Sequence, residues 1–107
     1  MKIIQNNILP PKNFTAINLF GLIFVKTNTI LSGRTVRHEL IHTVQMKEML
    51  YILFYIWYAI EWIIRFIQYK DATLAYYNIS FEIEAYDNQN DIGYLETRKL
   101  FSWIKYL

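Results

Sequence analysis

Hydrophobic residues are spaced differently in the first third of the 107-residue chain than in the rest of it. Residues 14–29 concentrate β-branched and aromatic side chains, which favours one or two buried strands that turn near Gly21. Pro10 and Pro11 precede them and cannot continue a helix, so we expect an extended segment or a turn there. The pattern predicts an α+β fold, in which a small N-terminal β element (a hairpin or an edge strand) packs on three or four helices.

The remainder of the chain is predicted to be mainly helical, because residues 34–92 contain neither Pro nor Gly. We expect Thr35 to cap the first helix, since a threonine hydroxyl accepts a hydrogen bond from the first helical turn. The hydrophobic pattern lapses at residues 70–73, which predicts a turn there. A further helix is then predicted over about residues 73–90.

The C-terminal part of the chain is predicted to form a last helix over residues 94–107, after Gly93 as a stop signal. We find no internal repeat and no low-complexity segment. A chain of this length ordinarily forms one domain, so residues 1–107 are expected to fold as a unit.

The stretch from Met49 to Tyr69 is long enough to span a membrane, and its only charged residues are Glu61 and Arg65. At about 100° per residue it separates into two faces. One face, the aliphatic stripe, consists of Met49, Ile52, Leu53, Ile56, Ala59, Ile60, Ile63, Ile64 and Ile67. The other, the aromatic face, consists of Tyr51, Tyr55, Tyr58, Glu61, Trp62, Arg65 and Tyr69. This sorting favours an amphipathic helix with the aliphatic stripe in the core; a true span and an interfacial helix are the alternatives.

Composition narrows the classes of function. The 11 Lys and Arg residues nearly balance the 9 Asp and Glu residues, which argues against a nucleic-acid partner bound through many phosphates. The lack of Cys excludes disulfides, thiolate zinc sites and cysteine nucleophiles. Lys2 and Lys12 precede an apolar run as in a signal peptide, but no small-residue cleavage site follows Val25. We therefore expect a cytoplasmic protein, with peripheral membrane contact as a further possibility.

Both histidines of the chain lie in the H-E-x-x-H sequence His38-Glu39-Leu40-Ile41-His42. Residues four apart on a helix differ by about 40°, so both imidazoles project from one face and can bind one ion. Glu39 lies at the edge of that face, within reach of a metal-activated water. Zinc hydrolysis needs this arrangement of two neutral nitrogens and a carboxylate base. The motif predicts a Zn²⁺ site with Glu39 as general base; the alternative is a chance pair of helix histidines.

A catalytic zinc site needs a third protein ligand, which must be a carboxylate in a chain with two His and no Cys. The candidates lie within residues 81–87, where helical geometry separates Glu82 from Glu84 by about 200°. Glu84 shares its face with polar residues, which indicates solvent: Ser80, Asp87 and Asp91. Glu82 lies on a more apolar side beside the small Ala85, which would allow close approach of the histidine helix. We therefore favour Glu82 over Glu84 as the metal ligand.

The sequence H-E-L-I-H followed by F-E-I-E-A resembles the gluzincin clan of zinc metallopeptidases. Members of this clan bind zinc with two histidines and a glutamate, and several small branches place that glutamate three residues before an alanine. The resemblance implies the ligand set His38, His42 and Glu82 and a zincin-like minimal domain. The chain is similar in size to the single-domain minigluzincins, and it also resembles a group of short bacterial H-E-x-x-H proteins of unassigned activity.

One position departs from the gluzincin pattern. Related motifs often place Asp or Asn four residues after the ligand glutamate, where this side chain orients a histidine. Here that position holds Tyr86. The orienting group is then either the Tyr86 hydroxyl or one of Asn78, Asp87 and Gln45.

The resemblance also implies an edge strand just before the histidine helix, against which an extended peptide substrate lies. Residues 22–27 have the required position and composition, which makes Leu22, Phe24 and Lys26 candidate substrate contacts through unpaired backbone groups. Three tyrosines are candidates for stabilising the oxyanion: Tyr76, Tyr77 and Tyr86.

The main functional hypothesis is a zinc-dependent metallopeptidase that acts on a peptide or protein. Zn²⁺ would be held by His38, His42 and Glu82, and Glu39 would be the general base. The alternative is a non-catalytic, metal-stabilised interaction or membrane-surface protein that uses the aromatic face. A further hypothesis is latency, with residues 94–107 covering the cleft. Substrate preference and oligomeric state stay open.

Overall fold

The N-terminal region of the protein forms one small mixed sheet. The computed structural model describes residues 2–8, 16–27 and 30–107. Its strands are β1 (Lys2–Asn6), β2 (Ala16–Leu19) and β3 (Leu22–Lys26). The strand order is β1-β3-β2, with β1 parallel and β2 antiparallel to β3. Residues 9–15, which include Pro10 and Pro11, lie outside the described residues.

The β2–β3 hairpin turns at Phe20 and Gly21, as predicted. Both residues have positive φ, 54° and 88°, which is the backbone of a two-residue turn that matches strand twist. The Asn18 side-chain oxygen accepts a hydrogen bond from the Gly21 N–H at 2.9 Å and closes the turn. Glycine is needed at the second position because side chains rarely tolerate that φ.

The expectation that β3 is a free edge strand is wrong. β3 lies between β1 and β2, so its backbone groups pair with β1 on one side and with β2 on the other. Leu22 and Phe24 are in register with both neighbouring strands, and Lys26 is in register with Asn6 of β1. The sequence pattern predicted only an extended segment near the N-terminus, and this segment forms β1 by pairing with residues 20 positions away. Within the described sheet, β2 is an edge strand instead.

Five α-helices and one 3₁₀ helix follow the sheet, so the predicted α+β class is confirmed and the helix count is higher than expected. They are α1 (Gly33–Glu48), α2 (Ile52–Tyr69), α3 (Ala72–Tyr77), α4 (Ser80–Asn88), α5 (Tyr94–Thr97) and the 3₁₀ helix (Ser102–Tyr106). The residue that caps α1 is Ser32, not Thr35. The Ser32 hydroxyl accepts a hydrogen bond from the Thr35 N–H at 3.1 Å.

Two predicted helices are each divided in the structure. The helix predicted over residues 73–90 is broken between α3 and α4, where Ile79 is extended and fully buried. The helix predicted over residues 94–107 becomes α5 and the 3₁₀ helix, with Phe101 at a positive φ of 56° between them. No Gly or Pro lies at either break; the first contains the buried Ile79, and the buried Trp103 follows the second.

Helix α2 has the opposite orientation to the one predicted. Its aliphatic stripe is turned outward, since the seven Ile and Leu side chains within α2 are between 44% and 67% exposed. The aromatic face is turned inward, where Tyr58 is half-buried and Glu61 is only 6% exposed. The interior next to α2 is aromatic and polar: Phe81 and Trp103 pack there, and the Ser80 hydroxyl donates to Glu61 at 2.6 Å. The Tyr58 hydroxyl and the Glu61 carboxylate of α2 therefore form their hydrogen bonds with groups in the protein interior.

The connection between α1 and α2 bends the chain by 110°. Leu50 and Tyr51 take positive φ at this bend. In the described part of the chain, no single helix has the length and apolar character to cross a membrane; the bent pair α1 and α2 meets that criterion by length and composition.

Candidate metal centre

The side chains of α1 and α4 converge on one point in the interior. His38 and His42 lie one turn apart on α1, and their Nε2 atoms are 3.1 Å from each other. Glu82, in the first turn of α4, places Oε1 at 3.2 Å from His38 Nε2 and at 3.0 Å from His42 Nε2. All three residues are buried. The structure thus brings together the three residues that the sequence analysis named as metal ligands.

The three ligand atoms match one face of a metal coordination sphere. Zinc bonds of about 2.0–2.1 Å in tetrahedral geometry separate neighbouring ligand atoms by about 3.3 Å. The observed separations of 3.0, 3.1 and 3.2 Å are close to this value. Neutral histidines would direct lone pairs at one another and at a carboxylate oxygen here, which is repulsive unless a cation or a proton lies among them. The site therefore fits a metal ion.

Glu39 is the fourth member of this cluster. Its carboxylate and the two imidazoles offer ligand atoms that all lie within 4.8 Å of one another. Glu82 approaches the histidines more closely, so Glu39 is free for another role. Its Oε2 atom is buried and has no hydrogen-bond partner among the described residues. Burial raises the pKa of Glu39, against the opposing effect of the two histidines.

Gln45 fixes the orientation of His42. The Gln45 amide nitrogen donates to the Phe81 carbonyl oxygen at 3.1 Å and to Glu84 Oε1 at 2.9 Å. Its amide oxygen therefore faces His42 Nδ1, at 2.8 Å, and this nitrogen must carry the hydrogen. The Nε2 lone pair of the neutral ring is then directed at the metal site.

The orienting group of His38 is Gln89, which the sequence analysis did not propose. The Gln89 amide oxygen lies 2.9 Å from His38 Nδ1, and the ring of Tyr86 packs against His38 with 4.4 Å between ring centroids. The Tyr86 hydroxyl bonds to Tyr76 at 3.0 Å instead of to a histidine. The two other candidates point elsewhere: the Asn78 side chain donates to the Leu74 carbonyl, and Asp87 is exposed.

The charges of Glu82 and His42 influence each other. Burial disfavours the ionised form of Glu82, but the two histidines outweigh this effect and lower its pKa. Burial likewise disfavours a charged His42, but the Glu82 carboxylate raises the pKa of His42 to about 9. The second Glu82 oxygen accepts a hydrogen bond from the Tyr58 hydroxyl at 2.7 Å. The buried Glu82 carboxylate thus supplies a negative charge that attracts either protons or a metal cation.

Glu84 is buried, which corrects the expectation that it faces solvent. It has no accessible surface and forms an ion pair with Arg98, which also pairs with Glu48 at 2.9 Å. The Tyr94 hydroxyl donates to Glu84 Oε2 at 2.6 Å. Arg98 lowers the pKa of this carboxyl against the effect of burial. Glu84 therefore supports Gln45 and does not reach the metal site.

A cavity of about 300 Å³ opens beside the metal site. Its lining includes the three metal-site ligands, Glu39, the whole of β2 and apolar or aromatic side chains from α1, α2 and α3: Met46, Phe54, Tyr55, Tyr58 and Tyr76. Of the three tyrosines considered for an oxyanion, Tyr76 lines the cavity. No residue of 94–107 does so, and Trp103 packs in the core instead. The latency hypothesis expected residues 94–107 to cover the cavity, and in the structure they do not line it.

Asn18 attaches the edge strand β2 to the histidine helix. Its amide nitrogen donates to the Glu39 carbonyl oxygen at 2.9 Å and to the Thr43 hydroxyl at 2.8 Å. Nothing in the sequence pattern indicated this role, since an Asn within an apolar strand is ordinarily an interruption. The contact fixes the distance between β2 and Glu39 across the cavity.

Comparisons with known proteins assign no family. No protein-family model matches the chain, and no curated protein or solved structure matches it either.

Proposed function

We propose that the protein is a zinc-dependent metallopeptidase of the gluzincin type. The observation that carries this proposal is the convergence of His38 Nε2, His42 Nε2 and Glu82 Oε1 within 3.2 Å of one another beside the carboxylate of Glu39. Two histidines and one glutamate are a donor set of catalytic zinc in hydrolases, which also need an open coordination position for water. The cavity beside the three side chains provides space for that position.

Zinc suits these donors better than hard cations such as Mg²⁺, which prefer oxygen ligands. When bound, it would polarise the substrate carbonyl and lower the pKa of a water molecule. His38, His42 and Glu82 would hold the ion, with Gln89 and Gln45 keeping the imidazoles in the ligating orientation. The remaining chemistry falls to Glu39.

Glu39 would act first as a base and then as an acid. Its carboxylate accepts a proton from the attacking water and delivers that proton to the amine that leaves when the peptide bond breaks. The buried Oε2 atom of Glu39 has no hydrogen-bond partner in the described part of the chain, so it is available for this transfer. A pKa raised by burial favours proton uptake relative to an exposed glutamate.

The peptide would bind along β2. In an antiparallel pair, the backbone groups of alternate residues point away from the neighbouring strand. The Asn18 carbonyl points away from β3, since it accepts a hydrogen bond from the Tyr55 hydroxyl at 3.4 Å, and Ala16 has the same direction two residues earlier. An extended substrate could pair with these groups as an added strand. The apolar cavity lining would receive one of its side chains.

Metal analysis combined with a Glu39→Gln variant tests the proposal. We expect about one zinc per chain in both proteins, with peptide hydrolysis reduced by at least about a hundredfold in the variant. Glu96→Gln serves as the matched control, because Glu96 is an exposed carboxylate on α5 and should leave hydrolysis unchanged. A protein that binds no stoichiometric zinc, or a Glu39→Gln variant as active as the wild type on a broad peptide panel, would refute the proposal.

A further inference from the structure

The outward side of α2 is an exposed apolar surface. Within the helix, the aliphatic stripe presents six isoleucines, one leucine and one alanine, and its Ile and Leu side chains are 44–67% exposed. Helix α2 has 18 residues, so the surface is about 27 Å long. Three polar side chains of the helix, Tyr55, Tyr58 and Glu61, point toward the protein interior. The helix is thus amphipathic in the opposite sense to a helix that faces water.

The composition of this surface is unlike that of a protein-binding site. Protein interfaces are enriched in aromatic residues, Met and Arg, and they carry polar groups that form hydrogen bonds with the partner. The part of the aliphatic stripe within α2 contains only branched aliphatic residues and Ala59. Tyr55 and Tyr58 pack inside, whereas Phe66 and Tyr69 near the C-terminal end of the helix are 40% and 44% exposed. Hydrocarbon is the environment that matches an Ile-rich surface without hydrogen-bonding groups.

Positive charges lie at both ends of the surface. Lys47 precedes α2 by one short bend and Lys70 follows it directly, and both side chains are exposed. The only acidic residue of α2, Glu61, is buried and bonded to Ser80, so it does not repel an anionic surface. Asp71, next to Lys70, is exposed and caps α3 by accepting hydrogen bonds from the Thr73 and Leu74 N–H groups. The two lysines that flank α2 are complementary to the negative headgroups of a lipid leaflet.

A second group of exposed apolar side chains lies near the C-terminus. The 3₁₀ helix packs mainly on α4, and its buried Trp103 contacts Trp57 of α2 with 6.0 Å between ring centroids. Residues 99–107 expose four large apolar residues and two lysines: Leu100, Phe101, Ile104 and Leu107, with Lys99 and Lys105.

We propose that the aliphatic stripe of α2 docks on an anionic lipid membrane, with the helix parallel to the surface and Lys47 and Lys70 among the headgroups. The cavity is lined by the inward side of the same helix, through Phe54, Tyr55 and Tyr58. Membrane contact would therefore leave the metal site open. This inference does not depend on peptidase activity, since it concerns the opposite side of the helix.

Vesicle flotation tests the inference with the full chain. We expect binding to phosphatidylcholine vesicles that contain about 30% phosphatidylglycerol, and weaker binding to pure phosphatidylcholine. The variant I56S/I60S/I63S should lose at least about a hundredfold in partitioning, because three isoleucines no longer transfer to hydrocarbon. The control variant I30S/I92S removes two highly exposed isoleucines outside α2 and should bind like the wild type.

A charge variant separates the two contributions and conserves the apolar surface. K47E/K70E should weaken binding to the anionic vesicles by about tenfold or more and leave binding to neutral vesicles unchanged. Circular dichroism and zinc content should match the wild type in every variant, since all substituted side chains are exposed. Failure of the wild type to float overturns the inference, as does flotation of I56S/I60S/I63S at the wild-type level. A wild-type dimer that the triple substitution converts to a monomer, without vesicle binding, shows a second copy of the chain as the occupant instead.

Discussion

Glu82 and Glu84 lie two positions apart on α4, and the protein compensates their buried charges in different ways. Glu84 is paired with Arg98, whose guanidinium stays protonated at any ordinary pH. Glu82 faces the imidazoles of His38 and His42, and the charge of His42 depends on pH and on the presence of a metal. The first carboxylate is therefore a permanent structural group, and the second is a site that exchanges protons for a cation.

The proton bound at His42 should make zinc affinity depend on pH. Zinc requires the neutral ring, and the Glu82 carboxylate raises the pKa of His42 to about 9 in the metal-free protein. Apparent zinc affinity should therefore rise by about tenfold per pH unit between about pH 6.5 and 9, and level off above this range. Competition with a chromophoric chelator at several pH values measures it. An affinity that is constant above pH 7 would contradict the raised pKa.

Removing the orienting amide of His38 should weaken metal binding while all ligands are retained. Gln89→Leu deletes the acceptor at 2.9 Å from His38 Nδ1, so the ring is free to rotate and Nε2 is less well directed. Loss of such a group ordinarily lowers metal affinity by about 10–100-fold. Gln68→Leu, at an exposed position of α2, is the matched control and should bind zinc like the wild type. Equal affinities in the two variants would show that Gln89 has no positioning role.

Arg98 directly follows α5 and pairs with Glu48 at the end of α1 and with Glu84 in α4. It therefore connects three helical segments. Its side chain is 2% exposed, and those of Glu48 and Glu84 are 5% and 0% exposed. Arg98→Met would leave two buried carboxylates unpaired, and we expect a loss of about 3–5 kcal/mol in the free energy of unfolding. Urea unfolding measures this loss. Arg34→Met, on the exposed start of α1, should change the value by less than about 0.5 kcal/mol.

The orientation of α2 shows where sequence reasoning stops. Periodicity alone separates the helix correctly into an aliphatic stripe and an aromatic face, but it does not specify which face is buried. That choice depends on partners from distant segments, such as Ser80 for Glu61 and Glu82 for Tyr58. The central position of β3 also depends on a distant segment. β3 pairs with β1, whose residues the sequence pattern predicted only as extended.

The candidate site was more predictable than the helix orientation, because its chemistry is largely local. The spacing of His38 and His42 requires a common helix face, and the facing argument on α4 selected Glu82, which the structure places at the histidines. Gln45 was among the proposed orienting groups and occupies that role for His42. Gln89 and Asn18 were missed because amide side chains have no characteristic spacing; their roles depend on how α4 and β2 meet α1.

The candidate ligands come from two helices, and His42 of α1 and Glu82 of α4 are 40 residues apart in sequence, so a bound metal should link the two halves of the helical region. A ligand that binds only the folded state stabilises it by about 4 kcal/mol at a thousandfold excess over Kd. For a domain of about 100 residues this corresponds to a rise in Tm of roughly 15–30 °C. We therefore expect chelation to lower Tm by this amount, measured by circular dichroism in zinc and in chelator.

The variant Glu82→Gln distinguishes this linkage from a general effect of zinc on the protein. It removes the only ligand contributed by α4 and should reduce the zinc-dependent rise in Tm to a few degrees at most, whereas Glu96→Gln should retain the full rise. In the metal-free state the same substitution removes the negative charge that attracts protons to His42, so the pKa of His42 should fall from about 9. Identical melting curves in zinc and in chelator for the wild type would show that α1 and α4 are held together by packing alone. The wild-type Tm difference therefore tests whether the metal centre is part of the fold.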